Sequence, residues 1–516
     1  VCNEEVAITN RLLSGEVKGI KLDGEVTYDT KIVASILDDL AAKVKPFYQL
    51  GDLPSFITEK KGRVRGRLED AVAAILEKGV NPELASVSEK GVRITDGGDF
   101  NISMFLKTEI YDEEMKDPRM IAGRNPKFNV GYAKFMTPLE LACHNVPQIM
   151  GGLNMSQRGS AFQTLLFGGM FLEADFSRFD STQNHKLLYD IECGLMRRLL
   201  SDKDYDLFFD YWLVKMKKYG QFPSGAKFSL YGCRGSGDMD TKVMNTIINY
   251  VAVKYFLIKN GFPEDKFIVD GDDGVISVPR ATFTNTFPEF GLIIDVKLST
   301  DYHDVSFCSS HFMKVNGSGD MMQVQNFLRT YNNIGVLKSK TFSHCVGEYY
   351  YNLGYMYKIL YPNCPGFHEL SKFLMGITKR VTCFKPALLR ELNPYYSELL
   401  QGKSHRVEPA TIFTEMMQCY NISAGELTYM MDALSELKLC LPPSMDKRYR
   451  CVRPPTRKHS IEQYRTAEML VDNAVSLSDI PYIYQAPILL PNLQVSHKWQ
   501  TPWWRDSPAG VPRRAG

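Results

Sequence analysis

Adjacent carboxylates stand at a turn in Asp270-Gly271-Asp272-Asp273-Gly274, with apolar residues 267–269 running in and 275–278 running out. An Asp-Gly turn between short β-type runs signals a hairpin, and carboxylates fixed at its tip suit a hard cation bound through oxygen. Taken alone, the same stretch also suits a solvated turn. Upstream, residues 169–174 read as a buried strand that ends at Asp175, and a second aspartate, Asp180, follows Phe176-Ser177-Arg178-Phe179. Between these two acidic sites lies the glycine-rich loop Gly232-Cys233-Arg234-Gly235-Ser236-Gly237-Asp238-Met239-Asp240-Thr241. It leads into a helical run over 242–259, which closes at Asn260-Gly261 before Pro263. Thr241 and Asn245, four residues apart, share a helix face.

One chemistry uses all three elements. Nucleotidyl transfer is an in-line attack of a hydroxyl on an α-phosphorus, and two divalent ions about 3.5–4 Å apart stabilise the attacking and leaving oxygens. Carboxylates on separate strands must then face one point. Asp175 and Asp272 form the natural pair, with Asp273 as an auxiliary ligand. An oxygen-only ligand set favours Mg2+ or Mn2+. Asp180, Ser236, Thr241 and Asn245 offer polar groups to a ribose, and the loop glycines, Gly235 and Gly237 among them, allow close backbone approach.

In chain order, DFSRFD (175–180), SGDMDTKVMN (236–245) and VDGDD (269–273) resemble motifs A, B and C of viral RNA-dependent RNA polymerases. They look most like the tombusvirus and nodavirus side of the positive-strand RNA viruses. The resemblance implies two catalytic metal ions on Asp175 and Asp272, with support from Asp273. It implies a ribose-sensing pair, Asp180 and Asn245, and a loop carrying Ser236 and Thr241 that positions template and nucleotide. A triphosphate needs cations, and Lys107, Arg119, Arg124 and Lys127 match the basic positions of motif F, the fingertip segment over about 105–129. Ala122-Gly123 stands where the tombusvirus-like pattern often has Gln-Pro.

The run 60–67 holds five cations in eight residues, including Lys60, Lys61, Arg63 and Arg65, and is similar to the basic segment that precedes the fingertips. It reads as template-strand contact, which carries no sequence information and weakens with salt. A solvated basic loop before a helix over 68–78 is the other reading. Lys297 matches the motif D lysine that protonates departing pyrophosphate. Residues 305–310, with Cys308, resemble motif E, the turn that supports the 3′ end of the growing strand.

The implied fold is α+β, a right hand with an antiparallel-sheet palm and a helical thumb. Its fingers span 1–167, its palm 168–183 and 225–315 with a finger insertion at 184–224, and its thumb 316–452. A Pro/Trp/Arg-rich tail follows at 453–516, suited either to gripping single strands or to lying across the thumb. The capping box Ser423-x-x-Glu426 followed by Leu427, Met430, Met431, Leu434 and Leu437 at helical spacing predicts a thumb helix.

Composition bounds the function from outside. The 516 residues are 44% hydrophobic and 23% charged, as in a large globular body, and the net charge of +2 requires any nucleic-acid partner to meet cations concentrated in channels. No run approaches the roughly 18 apolar residues that span a bilayer, so membrane attachment is expected through another segment or a partner. The first residue is Val1, which fits a processed end, an engineered end or an internal point of a readthrough product. Eleven cysteines without a C-x-x-C pair indicate reduced thiols, and His303, Cys308 and His311 read as packing rather than a zinc site.

The expected partners are template and product RNA, nucleoside triphosphates and other viral replication proteins. The expected location is the host cytoplasm, at membrane-associated replication complexes. A reverse transcriptase would share the palm chemistry but guard against the 2′-hydroxyl with a bulky residue where this chain has Asp180 with Asn245. A catalytically silent RNA-binding scaffold would tolerate loss of Asp175, Asp272 and Asp273, all of which are present.

Overall fold

A computed structural model describes residues 26–51, 56–57, 62–76, 101–106, 119–166, 169–225, 227–332, 346–376 and 406–436, together with a few two-residue strands outside these ranges. The chain is mixed helix and sheet, in keeping with an α+β fold, and forms two compact units. The first comprises Val1–Glu109, Glu113–Leu153 and Ala161–Cys308; the second comprises Ile110–Asp112, Asn154–Ser160 and Ser309–Gly516.

In chain order the first unit contains α1 (Thr30–Val44), α2 (Gly62–Leu76), β1 (Asn101–Leu106), β2 (Met120–Gly123), α3 (Pro126–Cys143), β3 (Met170–Phe176) and α4 (Phe179–Thr182). There follow α5 (Asp202–Met216), β4 (Lys217–Gln221), β5 (Lys227–Tyr231), α6 (Thr241–Asn260), β6 (Phe267–Asp270), β7 (Asp273–Val278) and β8 (Ile294–Ser299).

Strands β6-β7-β3-β8, in that order, make an antiparallel sheet. All four residues of β6 are buried, the apolar Phe267–Val269 and then Asp270, and α6 is buried from Val243 to Leu257. Gly261 caps α6 at φ +66, the left-handed stop that the Asn-Gly pair predicts. A second sheet, ordered β2-β1-β4-β5, has β1 parallel to β4 and its other pairs antiparallel. Helices α1, α3, α5 and α6 share one apolar core with the first sheet, in which Tyr132, Phe135, Phe208, Tyr211 and Trp212 are nearly or fully buried.

Helix α2 corrects one expectation. It begins at Gly62 rather than at residue 68, so Arg63 and Arg65 lie in its first turns and not in a loop ahead of it. Arginine is a good helix former, and the buried Leu68 and Ala71 anchor the helix from farther along, which outweighs the local cost of Gly62 and Gly66.

The second unit contains the hairpin β9 (Ser310–Lys314) and β10 (Met321–Gln325), then α7 (Val346–Leu360), α8 (Phe367–Gly376), α9 (Pro409–Tyr420) and α10 (Ala424–Ser435). The predicted capping box is present at the start of α10, and Leu427, Met430 and Leu434 are buried while Met431 packs partly buried beside them. Leu437 lies outside the described residues.

Candidate active site

The hairpin β6–β7 turns through Gly271 and Asp272, with Asp270 paired to Asp273. Gly271 sits at φ +70 in the first central position of this two-residue turn, where an L side chain would be strained. Helix α6 grips the turn from behind. The Thr246 hydroxyl accepts the Gly271 N–H at 2.8 Å, and the Asn249 amide donates to the carbonyls of Gly271 and Asp273 at 3.2 and 3.0 Å. Lys242, also on α6, ion-pairs Asp270 at 3.2 Å.

Asp175 is exposed near the end of β3. Gly274 pairs with Ala174, so the next register step brings Asp273 alongside Asp175. Asp272 and Asp273 reach solvent, yet protein crowds them enough to disfavour their charged forms. Burial raises the Asp272 carboxyl; Asp180 and Asp175 raise it further, while Arg119 and a backbone hydrogen bond oppose the shift. Burial and then Asp272 push Asp273 up to about 6, against hydrogen bonds from the Cys308 thiol and backbone. The structure thus gathers Asp175, Asp180, Asp272, Asp273, Arg119 and Cys308 into one electrostatic neighbourhood.

Oxygen donors that repel one another are suited to a hard divalent cation. Among the described residues, no three His, Cys, Asp or Glu side chains already converge on one ion-sized point.

Beside the acidic hairpin is a polar network. Arg178, at φ +52, makes a left-handed turn between β3 and α4 and carries the chain from Asp175 to Asp180. The Asn245 amide donates to Asp180 Oδ1 at 2.7 Å, and the Ser236 hydroxyl donates to Asp180 Oδ2. Gln183 and Arg234 donate to Asn245 Oδ1 at 2.9 and 3.0 Å. Thr241 donates to the Gly235 carbonyl at 2.7 Å, which closes the loop on itself. The Ala122 N–H donates to the Ser236 carbonyl at 2.6 Å. Gly237, at φ +102, makes that approach possible, because a Cβ there would lie 2.8 Å from the Ala122 oxygen.

The basic residues separate into two sets. Arg119 is exposed ahead of β2, with its charge acting on Asp272, and Lys127 is half-buried in the first turn of α3. Arg124, expected among the nucleotide-facing cations, is instead buried: it pairs with Asp238 at 2.5 Å and donates to the Lys215 carbonyl at 2.7 Å. Its charge is needed there, since Asp238 would otherwise be an inadequately compensated buried anion. Lys107, Lys60 and Lys61 lie outside the described residues, as do the side chains of Arg63 and Arg65. Lys297 ion-pairs Glu173 at 2.7 Å and donates to the Asp304 carbonyl at 2.7 Å. It shares a sheet face with Asp175, because Asp295 opposes Asp175 and Lys297 opposes Glu173, two residues along.

Sequence reading missed the support behind the network. Lys215 Nζ contacts Glu192 and Asp240, each at 2.6 Å, and Arg234 pairs with the same two carboxylates. All four side chains are essentially inaccessible. Glu192 lies on a π-helical turn, Tyr189–Cys193, and also accepts the Trp212 indole N–H at 2.7 Å. Burial alone would raise the Asp240 carboxyl, but Lys215 and Arg234 hold it well below the usual range. Thr246 and Asn249 were missed as well, although polar residues on an otherwise apolar helix were a usable signal.

Residues 103–331 match the family model for viral RNA-dependent RNA polymerase. The chain is similar to the RNA-directed RNA polymerase of Groundnut rosette virus (strain MC1), 28% identical over 205 residues, covering 37% of this chain and 24% of the relative. It is 23% identical over 273 residues to the RNA-directed RNA polymerase of Tomato bushy stunt virus (strain Cherry), covering 48% of this chain and 32% of the relative. The RNA-directed RNA polymerase of Cucumber necrosis virus is 25% identical over 272 residues, with the same coverage of 48% and 32%. These matches bear out the tombusvirus-like resemblance. They span about a quarter to a third of the length of these curated relatives.

Proposed function

We propose that this chain performs template-directed RNA synthesis from ribonucleoside triphosphates in replication of a viral RNA genome. The observation that carries the reading is the hydrogen-bonded Asp180–Asn245–Ser236 group beside the acidic hairpin, with α6 bearing Asn245 and gripping the hairpin turn. A sugar sensor and a cation-binding edge are thereby fixed to one helix.

In this proposal Asp175 and Asp272 hold the divalent ions, Mg2+ or Mn2+, and Asp273 supports them. When bound, the ions supply charge stabilisation to the attacking and leaving oxygens. Asp180, Asn245 and Ser236 orient the ribose, with Thr241 and Gly235 keeping the loop closed. Arg119, Lys127 and Lys107 attract the triphosphate. Lys297 is the proposed proton donor to pyrophosphate, and Cys308, bonded to Asp273, links the 3′-end support to the acidic hairpin. Lys60, Lys61, Arg63 and Arg65 are proposed template contacts, with Gly237 easing strand passage.

The right-hand arrangement belongs to the same proposal: fingers over 1–167 and 184–224, palm over 168–183 and 225–315, thumb over 316–452, and a tail beyond. So do other viral replication proteins as partners and residence at cytoplasmic membrane-associated replication complexes. Among the described residues no helix is long and apolar enough to cross a membrane.

The test is incorporation of labelled ribonucleotides on a single-stranded RNA template, with and without primer. Product complementary to the template supports the proposal. Equal use of deoxynucleotides would point to a reverse transcriptase, and tight RNA binding without product to a silent scaffold.

A further inference from the structure

A primary amide can present either end to a neighbour, and only its surroundings decide which. Asn245 serves a ribose sensor only if its NH2 faces the Asp180 carboxylate; the reverse orientation would set two oxygens against each other. Two donors hold the Asn245 oxygen away from Asp180, the Gln183 amide at 2.9 Å and Arg234 Nε at 3.0 Å. Gln183 is itself a primary amide, and its own oxygen accepts from Arg234 Nε at 3.1 Å. Arg234 cannot reverse roles, because a guanidinium only donates. Its position is fixed by Glu192 and Asp240, which Lys215 braces from the other side. Gln183, Arg234, Glu192 and Asp240 are nearly or completely buried, so water does not readily replace these partners.

We propose that Arg234 and Gln183 are specificity-determining positioning residues. They form a buried relay that fixes which end of the Asn245 amide faces Asp180, and thereby sets the preference for ribose over 2′-deoxyribose. The inference rests on the polymerase reading above and extends it to two residues that do not touch the nucleotide. The relay's direction comes from the always-donating guanidinium: it fixes Gln183, both groups fix Asn245, and Asn245 with Ser236 orients Asp180. Disturbing the interior end should reach the sugar without removing any group that contacts it.

Gln183→Glu tests the relay. The shape is kept and the pairing with Arg234 survives, but one of the two donors to the Asn245 oxygen is lost and replaced by an acceptor. The new carboxylate then competes with Asp180 for the Asn245 NH2, so the amide is no longer held in one orientation. The readout is the ratio of kcat/KM for a ribonucleoside triphosphate to that for its 2′-deoxy analogue, on one RNA template, with Asn245→Ala as reference.

The ratio is expected to fall about tenfold or more in both variants, chiefly by loss on the ribonucleotide side, since a site built to hydrogen-bond a hydroxyl loses discrimination when that bond is misaligned. For any variant without turnover, the same ratio is taken from equilibrium binding of the two triphosphates to the protein–template complex. Arg234→Lys keeps the charge between Glu192 and Asp240 but removes Nε–H, and should lower the ratio as well. A wild-type ratio in Gln183→Glu and Arg234→Lys beside a lowered ratio in Asn245→Ala would overturn the relay. An unchanged ratio in Asn245→Ala would overturn the ribose assignment on which it rests.

Discussion

Replacing Lys215 with methionine keeps much of the side-chain length and removes one of the two cations from the buried cluster formed with Glu192, Arg234 and Asp240. The lysine contacts each carboxylate at 2.6 Å, and its side chain is only 2% exposed. In its absence two carboxylates share Arg234 alone, leaving one net negative charge in a region that water scarcely reaches. Breaking a buried pair by removing one partner costs about 3–5 kcal/mol, whereas the methionine's own burial is nearly neutral by comparison. Lys215→Met should therefore lower the free energy of unfolding by about 3–5 kcal/mol.

Adding Glu192→Gln restores neutrality and preserves an acceptor for the Trp212 indole. The double variant should be more stable than the sum of the single effects by about 1–3 kcal/mol. Equilibrium urea unfolding followed by tryptophan fluorescence measures both quantities, with Trp212 reporting from within the cluster. A Lys215→Met variant within about 1 kcal/mol of wild type, or strict additivity in the double variant, would refute the account of the cluster as a charge-balanced unit.

Lys218 gives a pH test: burial pushes its ammonium down to about 8, with Asp238 opposing the shift. Between about pH 8 and 10 the unfolded chain binds a proton there that the folded chain does not, so stability relative to Lys218→Met should rise with pH by up to about 1.4 kcal/mol per unit; urea titrations across that range check it. The two arginines of the motif F region should separate by assay. Arg119→Gln should raise the nucleotide KM several-fold without altering the melting temperature, whereas Arg124→Gln should lower stability by about 3 kcal/mol by leaving Asp238 only the more distant Lys218, at 3.8 Å, as its cation. Asn249→Leu removes two hydrogen bonds to the hairpin turn and should reduce kcat by tenfold or more while template affinity, measured by fluorescence anisotropy, stays unchanged.

Local chemistry made much of the site legible. The Asp-Gly pair between apolar runs anticipates the β6–β7 hairpin, and Asn260-Gly261 anticipates the end of α6. The five-residue spacing of the two aspartates in DFSRFD anticipates a strand delivering Asp175 and a turn delivering Asp180, although the left-handed Arg178 carries no such local signal. Long-range pairing was not legible. Arg124 and Asp238 lie 114 positions apart, and no property of either neighbourhood names the other as partner.

The buried cluster was hidden for the same reason. Lys215 ends a helix as an ordinary cation would, and only folding shows that it faces Glu192 and Asp240 rather than water. Helix α2 was misjudged at its start because Gly62 and Gly66 resemble loop punctuation, while the apolar anchor that extends the helix lies farther along. Gln183 is a similar case, an ordinary polar residue in sequence whose meaning comes from Arg234 and Asn245.

The central claim is that the acidic edge carries the chemistry and not merely the fold. Its most direct test is template-dependent ribonucleotide incorporation by Asp272→Asn beside the wild-type protein across a Mg2+ titration, with template affinity measured in parallel. The account predicts that the variant keeps wild-type RNA affinity and loses at least about a thousandfold in incorporation rate, because one of the carboxylates proposed to hold the metal is neutralised without a change of shape. Incorporation within tenfold of wild type at the same Mg2+ concentration would contradict it.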